Sequence, residues 1–99
     1  MLNIHKQSEG GKLIVSLEGR LDTSTAPQLE EELKNSLDGV LALVLDLERL
    51  EYISSAGLRV LLSAQKIMNK QGEMEINHVC ESVMEIFDVT GFTDILTIR

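Results

Sequence analysis

The chain has few aromatic residues, one cysteine, one proline and no cluster of positive charge, and each shortage narrows what it can be. Tyr52, Phe87 and Phe92 are its only aromatics, so any core must be aliphatic. Cys80 stands alone, which excludes an intrachain disulfide and makes a reducing cytoplasm the expected compartment. Lys and Arg number 9 against 16 acidic residues, a net charge of −7, with no basic patch. Nucleic acid and anionic membrane surfaces are poor partners for such a chain, and a protein with a basic or mixed face suits it better. The longest apolar run, Val40 to Leu45, falls far short of the roughly 18 residues of a membrane helix. Met1-Leu2-Asn3-Ile4-His5-Lys6 turns polar too early for a signal peptide.

What remains is enough for one packed domain over residues 1–99, since 43% of the chain is hydrophobic. Leu2 and Ile4 alternate with polar neighbours, and Leu13, Val15 and Leu17 continue after Glu9-Gly10-Gly11. The pattern predicts an antiparallel hairpin, ended by Gly19-Arg20-Leu21-Asp22. Thr23-Ser24-Thr25-Ala26-Pro27-Gln28 reads as a helix start, with Thr25 and Gln28 spaced as a capping box and Pro27 tolerated in the first turn. Ala26, Leu29, Leu33 and Leu37 then form one apolar stripe, Glu30-Glu31-Glu32 a solvated face, and Asp38-Gly39 a stop.

Val40 to Leu45 shows no alternation, which predicts a strand buried on both faces and ending near Asp46. A charged loop from Leu47 to Ser55 follows. Leu58, Leu61, Leu62, Ala64, Ile67 and Met68 keep helical spacing up to Gly72. Met74 and Ile76 mark a strand over Glu73–Val79, and Val83, Ile86, Phe87 and Val89 a last short helix capped at Gly91. Ile95 to Ile98 is an apolar tail, either an edge strand or packing against the core. The order β-β-α-β-α-β-α predicts an α/β fold: a mixed sheet with an antiparallel hairpin, then parallel strands with right-handed crossovers, and helices packed on it.

Sites in such sheets gather at the carboxyl ends of parallel strands, which selects the region around Ser54 and Ser55, with Asp22 able to approach the same edge. Free N–H groups and the positive end of a helix dipole suit an anion there, and a serine hydroxyl becomes one when phosphorylated. No catalytic set accompanies it. His5 and His78 fall inside strand patterns, and there is no G-x-S-x-G elbow, phosphate-binding lysine loop or zinc ligand pair. An enzyme, a metal site and a cofactor are therefore not expected. Ser55 is the nearer candidate for the helix N-cap. Gly57 either admits a partner backbone or packs against the sheet, Arg59 stands one turn in and exposed, and Cys80 is an inert small residue at the start of the last helix.

The stretch Tyr52-Ile53-Ser54-Ser55-Ala56-Gly57-Leu58-Arg59-Val60-Leu61, preceded by Leu45-Asp46-Leu47, resembles the signature of the bacterial anti-sigma factor antagonists, which are single STAS domains. Gly19-Arg20-Leu21-Asp22 and Val89-Thr90-Gly91-Phe92 fit the same pattern, so the resemblance spans nearly the whole chain. It implies a cytoplasmic regulator that is not an enzyme. The unphosphorylated protein binds an anti-sigma factor that is also a serine kinase of the GHKL type, and so frees a sigma factor. Phosphorylation ends that interaction, and a PP2C-type phosphatase restores it. The resemblance places the acceptor two residues before Gly57, at Ser55. Many relatives carry aspartate where this chain has Ser54, so Ser54 competes. It also implies a partner surface of Asp22, Thr23, Ser24, Ser54, Ser55, Ala56, Gly57, Leu58 and Arg59. Two alternatives are a STAS subunit of another signalling assembly and an unphosphorylated accessory subunit of a membrane transporter. A monomer or a weak dimer is expected.

Overall fold

Alternating apolar residues build the first two strands, β1 (Leu2–Glu9) and β2 (Lys12–Leu21), as an antiparallel hairpin with Leu2 opposite Gly19 and Glu9 opposite Lys12. The computed structural model describes all 99 residues. Gly19 does not end β2, as its sequence suggests. It adopts φ +109 within the strand, and the Arg20 amide beyond it donates to Met1 O at 3.2 Å. A β-carbon at Gly19 would lie 2.2 Å from that same oxygen, so the strand continues only because the position is glycine.

Helix α1 (Ala26–Ser36) follows, with Ala26, Leu29, Leu33 and Leu37 buried as its stripe predicts. The expected capping box does not form. Thr25 is the N-cap, but its hydroxyl donates to Arg20 O at 2.8 Å, and Gln28 reaches across to Leu2 O at 3.2 Å. Tertiary partners outcompete the local pair.

Strand β3 (Ala42–Ile53) is twice the length expected, and no loop runs from Leu47 to Ser55. It pairs in parallel with β2, with register shifts between Ser16 and Glu18 and between Gly19 and Arg20, each taking an extra residue on β3. The buried positions Leu43, Leu45, Leu47, Leu50 and Ile53 step by two, two, three and three. Each bulge thus returns the next apolar side chain to the core, while Glu48, Arg49 and Glu51 stay in solvent. Burial on both faces holds only for Leu43, Val44 and Leu45; Leu41 is 63% exposed.

Helix α2 (Ser55–Gln71) crosses to β4 (Glu73–Asn77), which pairs in parallel with β3. The order β1-β2-β3-β4 makes both crossovers run the same way, so right-handed connections place α1 and α2 side by side on one face. Gln71 ties this layer together by donating to Leu37 O at 2.6 Å and Val40 O at 2.7 Å. Ile67, expected in the core stripe, lies on its outer edge at 37% exposure. Helix α3 (Glu81–Thr90) adds Val83 and Phe87 to the same core and ends at Gly91, whose φ is +81; Val89, expected inward, is 78% exposed. A 3₁₀ turn (Phe92–Asp94) leads to the tail, which does both things its sequence allows. Leu96 is buried, and Ile98 bridges Ile76 in parallel on the outer edge of β4. No helix is long and apolar enough to cross a membrane.

Candidate functional site

Leu21 and Ile53 form the last register pair of β2 and β3, so the two chains leave the sheet side by side. The Ser54 amide donates to Leu21 O at 2.9 Å and fixes the start of α2 beside Asp22. This brings the two separated motifs of the sequence, around Asp22 and around Ser55, to one edge.

Ser54, not Ser55, is the N-cap of α2. Its backbone is extended (φ −99, ψ 176), its Oγ accepts from the Gly57 amide at 3.4 Å, and its carbonyl accepts from Leu58 N at 2.9 Å. Ser55 becomes the first helical residue, with an exposed hydroxyl that bonds to nothing in the chain. The Ser55 and Ala56 amides also lack partners, as the first amides of a helix do. Gly57 is buried, and a β-carbon there would meet Leu21 Cγ at 2.7 Å and Ile53 Cγ1 at 2.8 Å. Its smallness serves close packing of the helix on the sheet. Leu58 is buried beside it, so both support the site from beneath.

On the neighbouring turn, Asp22 Oδ1 accepts from the Ser24 hydroxyl at 2.8 Å, from Ser24 N at 3.0 Å and from Thr25 N at 3.1 Å. The Ser24 hydroxyl is the main cause that holds the Asp22 carboxyl below its ordinary pKa; desolvation opposes it, and the Thr25 and Ser24 amides assist. Asp22 is thus a turn-capping aspartate. Arg20, which the sequence did not single out, lies 4.4 Å from the centroid of the Tyr52 ring, with its Nε 4.0 Å from Asp22 Oδ2. The β2–β3 register that joins Arg20 to Tyr52 has no local signal.

Thr23, Ala56 and Arg59 meet in a hollow of about 290 Å³ between α1 and α2, whose lining includes Pro27, Glu30 and Ser63. Arg59 is exposed and makes no ion pair. Asp46 and Glu48 lie within β3, away from the serines. Asp46 lies seven residues back along β3 from Ile53, about 20 Å by the rise of a strand. His78 Nδ1 stands 3.0 Å from Asp46 Oδ1 and 4.0 Å from Glu48 Oε1. His78 itself is not in a strand. It follows β4 with φ +58. Cys80 is the N-cap residue of α3 without a side-chain cap bond; its Sγ donates to Leu50 O at 3.4 Å and lies 3.4 Å from Ser82 Oγ, and that hydroxyl leads the groups lowering its thiol pKa, against desolvation.

The STAS domain model matches residues 3–99. BtrV of Bordetella bronchiseptica, named as an anti-sigma factor antagonist, is 44% identical over 90 residues, which cover 89% of this chain and 78% of BtrV. The crystal structure of an anti-sigma factor antagonist from Mycobacterium paratuberculosis superposes with a TM-score of 0.91 at 24% identity, covering all of this chain and 86% of that one. The anti-sigma factor antagonist SpoIIAA in its unphosphorylated form gives a TM-score of 0.76 at 15% identity, over 98% of this chain and 87% of that one. The Bacillus cell fate determinant SpoIIAA in the phosphorylated form gives 0.75 at 15% identity, over 98% and 91%. At such identities the structural likeness speaks for the fold, while the family match covers nearly every residue. The chain belongs to the STAS domain family.

Proposed function

We propose that the chain is an anti-sigma factor antagonist controlled by phosphorylation of Ser55. In its unphosphorylated form it binds an anti-sigma factor that is also a serine kinase of the GHKL type, and a sigma factor is released. Phosphate on Ser55 ends the binding, and a PP2C-type phosphatase reverses it. The observation that carries the reading is the division of labour between the two serines. The Ser54 oxygen is committed to the helix cap, whereas the Ser55 hydroxyl is exposed and unbonded, on the residue next to Ala56, which lines the hollow with Thr23 and Arg59. A kinase reaches Ser55 without disturbing the fold, and its phosphate would sit at the positive end of a 17-residue helix. BtrV's 44% identity and its description supply the partner class, and SpoIIAA is known both with and without phosphate on the same fold.

The contact surface on this reading is Asp22, Thr23, Ser24, Ser54, Ser55, Ala56 and Arg59, with Gly57 and Leu58 holding it from below. The chemistry is an interface switch: the added charge changes the outer surface and leaves the core as it was. Pull-downs from native extract with wild type, Ser55→Ala and Ser55→Asp test it, read by mass spectrometry. Wild type and Ser55→Ala are expected to recover a GHKL-type kinase and Ser55→Asp is not. Equal recovery by all three removes Ser55 from the mechanism, and a permease among the prey replaces the reading with the transporter one.

A further inference from the structure

The two edges of the sheet are finished differently. Natural sheets blunt their edges with covering segments, prolines, bulges or charges set across the open backbone. At β4 the chain covers its own edge with the tail. The Ile76 amide donates to Thr97 O at 2.8 Å, its carbonyl accepts from Arg99 N at 2.9 Å, and Ile98 bridges alongside. β1 is the opposite edge, and no segment of the chain lies along its outer side.

The alternation of the β1–β2 ladder identifies the open groups. The Arg20 amide donates to Met1 O, which makes Met1 and Arg20 a hydrogen-bonded pair. The register then runs unbroken from Leu2–Gly19 to Glu9–Lys12, so Asn3, His5, Gln7 and Glu9 also bond inward to β2. Leu2, Ile4, Lys6 and Ser8 turn their N–H and C=O groups away from it. Leu2 verifies the direction, because its carbonyl accepts from the Gln28 side chain at 3.2 Å, and that contact closes the first position. The main-chain groups of Ile4, Lys6 and Ser8 have no partner on the outer side. No proline interrupts this run and no bulge shifts it. Lys6, the one charge placed to guard it, is drawn back onto α1, to Glu32 Oε1 at 3.0 Å and to the Ser36 hydroxyl at 3.1 Å.

We propose that two copies of this chain pair antiparallel along β1, joining their sheets across a two-fold axis at the open edge. An extended strand is what such an edge accepts, and the charges of β1 fit a second copy. Placing the axis at Gln7 sets Lys6 against Ser8 of the second copy and His5 against its Glu9, each twice by symmetry. Each Lys6–Ser8 pair then exchanges two main-chain bonds. A parallel copy would align like residue with like, and an axis at Lys6 would oppose two lysines. β1 carries one lysine and one glutamate, so the contact adds no net charge where a chain of −7 must meet itself. A ladder this short buries less than the roughly 1,200 Å² of a standard interface, and the association is weak. Lys6 pairs with Val15, six residues before Leu21 on β2, about 20 Å by the rise of a strand. Each copy therefore keeps its Ser55 surface clear, and the pairing does not depend on phosphorylation.

The test combines sedimentation equilibrium with amide hydrogen exchange of the full chain, from low micromolar to about 1 mM, the weak end of the affinity scale. The mass should rise reversibly toward that of two copies. The Lys6 and Ser8 amides should exchange fast when dilute and gain at least tenfold protection when concentrated, while His5 and Gln7 stay slow throughout. Ser8→Pro removes an N–H that faces away from β2, a change that an edge strand accepts. It is expected to weaken the association at least tenfold with the amide shifts of β3 and β4 unchanged. Glu9→Lys, at the exposed end of the strand, sets lysine against His5 and should weaken it as well, which keeps the test open if the proline variant misfolds. A chain that stays monomeric to about 1 mM overturns the proposal. So does a dimer whose added protection falls outside β1, or one that Ser8→Pro leaves as tight as wild type. Protection of Lys6 and Ser8 that arises only in cell extract, on a monomeric chain, would assign the edge to a different protein and sink the second copy.

Discussion

Gly57 and Leu21 are packed so closely that a β-carbon on the glycine would stand 2.7 Å from Leu21 Cγ. The start of α2 therefore rests directly on the last residue of β2, and the height of Ser55 above the sheet is set by that contact. Gly57→Ala forces Leu21 and Ile53 aside, and overpacking of this kind costs about 1–3 kcal/mol. Urea unfolding should show a lower midpoint at unchanged slope, with partner binding weakened as the helix start lifts. An unchanged midpoint means that the contact is slack.

The two serines separate on stability. Ser54→Ala removes the only side-chain cap of α2 and should cost about 0.5–2 kcal/mol, at the low end because the bond to Gly57 N is 3.4 Å long. Ser55→Ala removes an exposed, unbonded hydroxyl and should stay within about 0.5 kcal/mol of wild type. Equal losses in denaturant unfolding would mean that the cap is shared.

Period-two and period-3.6 patterns were enough to read the hairpin, the three helices and the parallel order, because each buries one face. β3 beyond Asp46 was not readable. Its bulges break the alternation, and Glu48, Arg49 and Glu51 mimic a loop although Leu47, Leu50 and Ile53 remain inside. The Thr25–Gln28 pair has the residues of a capping box, but partners at Arg20 and Leu2, invisible locally, claim both side chains. At the site, the serines and Asp22 were visible as motifs. Their adjacency, the choice of Ser54 as cap and the stacking of Arg20 on Tyr52 all depend on the β2–β3 register. A helix boundary one residue off was enough to exchange the roles of the two serines.

Gln71 makes a prediction about the helix layer. It alone bridges the end of α2 to the carbonyls of Leu37 and Val40. Gln71→Ala leaves both acceptors without that donor and should cost about 1–3 kcal/mol. Hydrogen exchange should rise around Leu37–Val40 while β1 and β2 keep their protection. Uniform acceleration across the sheet would assign Gln71 a global role instead.

Asp22 gives the turn a pH dependence. The Ser24 hydroxyl and the turn amides bond the ionised carboxylate, so its folded pKa lies below the ordinary value. A depressed carboxyl contributes stability that is complete above its unfolded pKa, about 4, and is lost as pH falls through the lower folded value. The Ser24 and Thr25 amide shifts should therefore hold constant down to about pH 4 and move only below it. In Asp22→Asn they should not follow that titration. Movement centred above pH 4 would show that the carboxylate is not held.

Phosphorylation of Ser55 should leave the fold intact and still remove the partner. At the first residue of α2 the phosphate meets the unpaired Ser55 and Ala56 amides and the helix dipole, a favourable term of about 0.3–1 kcal/mol. Arg59, four residues on and without an ion pair, is placed to share the new charge. Unfolding midpoints of the phosphorylated and free chains should thus match or rise slightly on modification. For the partner the sign reverses. A charge of about −1.5 to −2 placed about 7 Å from a single partner carboxylate, at an effective dielectric of about 20 to 80, costs about 1–5 kcal/mol. Affinity then falls about fivefold to several thousandfold, with the smaller loss at high salt. Calorimetry of the phosphorylated chain against the purified kinase at two salt concentrations measures both. A phosphorylated chain that unfolds early would point to an internal rearrangement, and an affinity loss unmoved by salt would assign the switch to steric blocking at the helix start.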